Sequence, residues 1–178
     1  MIEIRNLTEK DMPEVVRLKI SSWQEELAGK LEHQLIFEEE LSFWVHWMHH
    51  AKENNDVRTL IGAFEHNEML GVAFASFAEE EDGKDAFELN GLWVYPNHRG
   101  KKLSILLLKH LIDIYLPLKK TSLVVYNHHY APSNQYYLYL GGKIFKKDLQ
   151  IDGKLEVDVF IFDLEQLNQK CVEILSKG

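Results

Sequence analysis

Residues 92–114 read LWVYPNHRGKKLSILLLKHLIDI, and this stretch constrains the fold more than any other. An apolar strand has to stop at Pro96, which has no N–H to give a sheet ladder. Leu103, Leu107, Leu111 and Ile114 then recur on one helical face, so a helix starts just after Arg99 and Gly100. A strand–turn–helix junction leaves the first N–H groups of the helix without intrahelical acceptors. It also sets the positive end of the helix dipole beside them. Such a junction is a cradle for phosphate. Neither GxxxxGK[ST] nor GxGxxG occurs, which excludes the two common glycine-rich nucleotide loops.

Elements before and after this junction follow from the period of the apolar residues. IEIRNL alternates as a strand; Asp11, Pro13 and Glu14 start a helix carrying Val16, Ile20, Trp23 and Leu27. A second helix carries Phe37, Leu41, Trp44 and Met48. RTLIGAFE and MLGVAFASF form a hairpin joined by HNE, EEEDGKD turns, and AFELNGLWV is the next strand. After the Leu103 helix come the strand TSLVVY, a brief helix in APSNQYYLYLGG, and a hairpin of KIFKKDLQI and LEVDVFIF about Asp152 and Gly153. A polar helical tail follows. Meandering strands with one crossover helix predict a single α/β domain over residues 1–178, a mixed central sheet flanked by helices on both faces.

Charge narrows the partners. Lys and Arg number 20 against 28 Asp and Glu, a formal net charge of −8. Duplex binding needs a cationic face, so nucleic acid is not expected, whereas a cationic small molecule suits an acidic surface. The single cysteine, Cys171, excludes a disulfide framework and a multi-thiolate metal site, and its place in the polar tail argues against a nucleophile. No apolar run reaches the ~20 residues that span a bilayer, and no leader pattern is visible, so no membrane is expected and the cytoplasm is. His46, His49 and His50 share a helical face, but no acidic or thiol partner is fixed beside them, so no metal is expected.

ELNGLWVYPNHRGKKLSILLL resembles the acyl-CoA-binding segment of the GCN5-related N-acetyltransferases (the GNAT family). That segment is an apolar strand, V-x-P, two residues, R-G-x-G-x-G or A, then a helix. Val94, Pro96, Arg99, Gly100 and Leu103 stand at the matching spacings. NQYYLYLGGKIF resembles the second signature, F-Y-x-x-L-G-G, through Tyr136, Tyr137, Leu140, Gly141 and Gly142. The order of elements agrees over residues 1–163. Two glycines of the first signature are replaced, by Lys102 and Ser104. If residue 102 must take φ > 0, its side chain costs about 1 kcal/mol, which an ammonium facing a pyrophosphate would partly return. An asparagine common in the family seven residues before the tyrosine is Tyr130 here, leaving Asn127 or Asn134 to serve.

The resemblance implies acetyl transfer from acetyl-CoA, as co-substrate, to a primary amine of a small acceptor by direct attack in a ternary complex. Contacts to the cofactor would come from Trp93 and Val94 to the pantetheine and from Arg99, Gly100, Lys101, Lys102, Leu103 and Ser104 to the pyrophosphate, with Asn134 nearby. An alkylamine of pKa ~10 is mostly protonated at neutral pH, so a base is required, together with an oxyanion donor and an acid for the sulfur. Glu88 is the expected base, six residues before Val94 and on the same face under strict alternation. A cross-strand ion pair is the structural alternative for it. By resemblance, a main-chain N–H near Val94 is the oxyanion donor and Tyr137 the acid. Trp23, Phe37, Phe43, Trp44 and Trp47 beside Glu25, Glu26, Glu38, Glu39 and Glu40 offer a surface for a cationic acceptor, or a core stripe with a solvated face. His128 and His129 lie where they could relay a proton. A non-catalytic CoA-binding sensor and a protein N-terminal or lysine acetyltransferase are the competing functions. Exposed strands of the terminal hairpin leave room for a homodimer.

Overall fold

The chain runs β1 (Glu3–Asn6), α1 (Met12–Leu27), α2 (Phe37–His49), β2 (Thr59–Glu65), β3 (Glu68–Phe77), β4 (Ala86–Val94), α3 (Leu103–Tyr115), β5 (Ser122–His128), α4 (Ser133–Tyr139), β6 (Lys143–Gln150), β7 (Leu155–Asp163) and α5 (Leu164–Ser176). These are the elements of a computed structural model, which describes residues 1–177. One seven-stranded sheet has the order β1-β2-β3-β4-β5-β7-β6. Only β4 and β5 pair in parallel, and α3 provides the crossover that a parallel pair requires. The domain is the mixed α/β fold that the periodicity predicts.

Turn chemistry sets the hairpins. His66 and Asn67 both have positive φ, 52° and 64°, which matches the right-handed twist of β2 and β3. At the other end β6 is an open edge with Ile144, Phe145 and Leu149 exposed, and the expectation of a homodimer rests on that edge.

Two clusters form most of the core, one on each face. Phe87, Leu89, Leu107, Leu111 and Phe160 belong to the cluster under α3 and α5, where the Tyr115 ring stacks on Phe87 at 4.3 Å. Val15, Val16, Trp44, Val72 and Phe74 form the other, under α1 and α2. The polar tail read from the sequence is α5, and it is no tail: Leu164, Leu167 and Cys171 are buried in the α3 cluster. Cys171 is a core residue whose thiol burial pushes up to about 11, so it stays protonated and inert.

One irregularity shapes everything near the site. Phe74 pairs with Gly91 and Ala75 with Leu89, so Asn90 is an extra residue in β4. Before it, Phe87 and Leu89 face α3; after it, Leu92 and Val94 face α3 and Trp93 packs toward Phe74. Glu88 and Val94 therefore lie on opposite faces, and strict alternation is wrong for this pair. Pairing with β5 also ends here, at Leu89 with Val125, so the last residues of β4 part from β5.

Close packing seats α4 at that gap. A Cβ on Gly142 would lie 2.6 Å from Phe162 Cζ and 2.9 Å from the Tyr137 carbonyl oxygen. Gly142→Ala is expected to cost about 1–3 kcal/mol, measured as a lower urea midpoint at unchanged slope.

Candidate active site

A cleft of about 1190 Å³ runs through the opening between β4 and β5. Leu92, Val94, Leu103, Ser104 and Tyr137 line it on the α3 side, and Glu88, Trp23 and Tyr126 on the α1 side. Single ligand pockets are commonly about 300–1,000 Å³, so this one has room for a cofactor arm and an acceptor together.

At one mouth lies the turn between β4 and α3. Gly100 has φ 82° and Lys102 φ 61°, so the left-handed backbone expected at residue 102 is present. The main-chain N–H groups of residues 100–105 have no hydrogen-bond acceptor among the described residues. They sit at the N-terminus of the 13-residue helix α3, which makes a strong anion cradle. Arg99, Gly100, Lys102, Leu103 and Ser104 line the cleft as expected. Arg99 is held by Glu25 of α1, with Nη1 donating to Oε1 at 2.8 Å. Lys101 lies outside the lining, its Nζ 3.2 Å from His98 Nδ1. Lys102 lines the cleft with its stem, but its ammonium donates to the carbonyls of Ile174 and Lys177.

Further in, the main chain of β4 turns toward the gap. The Tyr95 N–H donates to Leu70 O at 3.0 Å, so alternation along the strand directs the Val94 N–H the other way, into the opening. Tyr137 approaches the gap from α4, packed between Phe160 and Phe162. It is buried, and no described residue hydrogen-bonds its phenol. Desolvation and then the Glu26 charge hold that phenol well above its ordinary pKa, so it is kept as a donor. Asn134 stands back from the cleft. Its Nδ2 donates to the carbonyls of His128 and His129, and its Oδ1 accepts from Asn127 Nδ2 at 2.8 Å. The two asparagines considered for one role thus form a single brace that ties α4 to the end of β5.

Glu88 faces the opposite side, across from Ser76 on β3 and Val124 on β5. Burial chiefly, then the charges of Asp82, Glu79 and Asp56, raise it from 4.5 to about 7, against a lowering by Lys146. The Asn90 amide satisfies its surroundings in the orientation where Nδ2 donates to Glu88 Oε2 at 3.0 Å and Oδ1 accepts from the Ser76 N–H at 3.1 Å. The bulge residue therefore aims the carboxylate. No cationic side chain forms an ion pair with Glu88 among the described residues, which removes the cross-strand alternative.

Several contributors were not singled out from the sequence. Glu79 and Glu81, from the run read only as a turn, and Asp148 of β6 line the same cleft as Glu88, and the Glu79 charge acts on it. Asp82 is buried between Lys146, at 2.6 Å, and the Tyr126 hydroxyl, which donates to it at 2.5 Å. His128, expected from the sequence as a proton relay, has its Nε2 2.6 Å from Glu26 Oε2, clasping β5 to α1 beside Trp23. Conversely, of the aromatic stripe only Trp23 lines the cleft, and Trp44, Trp47 and Phe37 belong to the core under α1 and α2. Glu40 is bound to Lys19. His49 pairs with Glu9, and His46 stacks on His50 at 3.7 Å.

Comparison with known proteins identifies the family and the fold. A sequence model of the acetyltransferase (GNAT) family matches residues 7–141. No curated protein is similar enough in sequence to match. Among solved structures, the PaiA N-acetyltransferase of Thermoplasma acidophilum in complex with coenzyme A is 20% identical, with 89% of this chain and 98% of that one covered at TM-score 0.66. YncA of Salmonella typhimurium, a putative acetyltransferase with its cofactor acetyl-CoA, is 18% identical over 92% of this chain and 94% of its own, TM-score 0.64. An N-acetyltransferase of Staphylococcus aureus Mu50 is 17% identical over 92% and 99%, TM-score 0.67.

Glu88 should titrate with a midpoint of about 7, read from its side-chain carboxyl carbon by NMR. The folded protein keeps this proton between 4.5 and about 7 while the unfolded chain releases it, so the folded state loses stability as pH rises through that window. Glu88→Gln is therefore expected to gain stability relative to the wild type between about pH 5 and about pH 8, measured as a difference in urea midpoints that grows with pH.

Proposed function

The chain belongs to the acetyltransferase (GNAT) family, and from that premise we propose that it moves an acetyl group from acetyl-CoA to a primary amine of a small, cationic acceptor, both bound at once. One observation carries the proposal. The gap between β4 and β5 has an unpartnered, protonated phenol on one face and a carboxyl poised near neutrality on the other.

Acetyl-CoA supplies an activated acyl thioester; the rest is done by side chains and main chain of this protein. The free N–H groups of residues 100–105 suit a diphosphate, and the β4 main chain at Trp93 and Val94 suits an extended pantetheine arm directed into the gap. The acceptor enters from the Glu88 side, where Glu79, Glu81 and Asp148 attract a cation. Glu88 takes a proton from the ammonium, a transfer that its pKa of about 7 allows in either direction near neutral pH. The freed lone pair attacks the carbonyl carbon, and the Val94 N–H meets the charge that develops on oxygen. Tyr137 gives its proton to the departing sulfur, and the surplus proton on the acylated nitrogen passes through solvent to restore the phenol, while Asn134 with Asn127 holds α4 in place.

Thiol release from acetyl-CoA across a panel of amines tests this reading. Tyr137→Phe is expected to lower kcat by about 10²-fold, and Glu88→Gln to lower kcat/KM by about 10²–10³-fold and abolish the pH limb near 7. No thiol release with any amine, despite a CoA-induced rise in melting temperature, would instead indicate a binding domain. Acetylation of peptides in preference to small amines would indicate a protein acetyltransferase. Unchanged turnover in Tyr137→Phe refutes the acid assignment.

A further inference from the structure

Lys102 replaces a residue type that its backbone would favour. Its φ of 61° is the left-handed region, where a side chain is strained and glycine is not. The expected compensation, an ammonium facing a diphosphate, is not what the side chain does. Nζ donates to Ile174 O at 2.9 Å and also to Lys177 O. These carbonyls belong to the last turn of α5 and the residue just past it, the negative end of that helix. Ile174 lines the same cleft as Gly100, Leu103 and Ser104. The negative end of one helix thus borders the anion cradle made by the positive end of another. Left bare, the α5 carbonyls would oppose a diphosphate that the α3 amides attract.

We propose that Lys102 is a positioning residue for the cofactor: by capping the C-terminal end of α5 it fixes the β4–α3 turn and neutralises the helix end beside the diphosphate. The inference rests on the acetyl-CoA reading above and adds to it an element, α5, that no motif contributes. A glycine would relieve the backbone but leave Lys177 O uncapped and Ile174 O with only the Lys177 N–H, at 3.3 Å. Lysine accepts the strain and links the turn to the helix, so cofactor binding and order at the end of α5 are coupled.

The test compares the wild type with Lys102→Met, which keeps the same Cβ strain, and Lys102→Arg, which keeps the charge. Calorimetry with acetyl-CoA and with S-acetylpantetheine, which lacks the diphosphate, separates the two halves of the cofactor. Lys102→Met is expected to raise the Kd for acetyl-CoA about tenfold and that for S-acetylpantetheine less than about threefold, with Lys102→Arg recovering most of the loss. Hydrogen exchange on the unliganded protein gives a second readout: amides in the last turn of α5 should exchange faster in Lys102→Met. An equal loss for both ligands, or none, overturns the proposal, as does unchanged exchange in α5. A wild type that fails to bind acetyl-CoA overturns the transferase reading instead, while the exchange measurement still judges the cap.

Discussion

Everything at this site depends on where β4 stops pairing with β5. The parallel ladder ends at Leu89, and the next residue, Asn90, is extra to the β3 register. The bulge bends β4 away from β5, reverses which side chains face α3, and leaves the main chain of Leu92 to Val94 with no strand on one side. A gap through a sheet costs ladder hydrogen bonds, and such a loss persists only where the exposed amides have other work. Here they border a cleft that reaches both faces. Glu88 and Tyr137 therefore line the cleft from its opposite faces.

Burial moves both groups in the same direction, and the consequences differ because their starting points differ. A carboxyl raised from 4.5 to about 7 becomes able to accept and release a proton near neutrality. A phenol raised from an already high value becomes a more secure donor. One low-dielectric gap thus leaves the carboxyl able to exchange a proton near neutrality and the phenol protonated. The carboxylates around Glu88 add to its shift, and they are also what a cationic acceptor would relieve.

The sequence revealed the order of elements, the limits of β4 as AFELNGLWV, and the cradle residues from Arg99 to Ser104, because period and proline are local signals. It did not reveal the bulge. Asn90 is extra only relative to β3, and register is a property of two strands. For the same reason Glu88 was paired with the wrong face of Val94 although its residue number was legible. Cys171 looked solvated because a helix with many polar residues hides a narrow apolar stripe, which α3 then buries. The acidic run after β3 carried no period at all. Its contribution is a field on Glu88, which depends on distance through space rather than spacing along the chain.

Charge is unevenly distributed along the cleft, and the proposed roles of its two ends follow from that. The α3 turn offers unpaired N–H groups, with Arg99 beside them and the α5 carbonyls covered by Lys102. The far side offers Glu79, Glu81, Glu88 and Asp148, with Asp82 and Lys146 already paired to each other. A diphosphate is attracted to the first region and repelled by the second, and an ammonium the reverse. In the proposed reaction such a field would sort the two substrates before close contact forms. Because the overall charge is −8, the cationic end is a local exception to the field of the whole molecule, and it depends on main-chain amides more than on side chains. The turn thus tolerates Lys102 and Ser104 in place of glycine so long as the left-handed backbone at residue 102 is held, which is the part proposed for the Lys102 contact with α5.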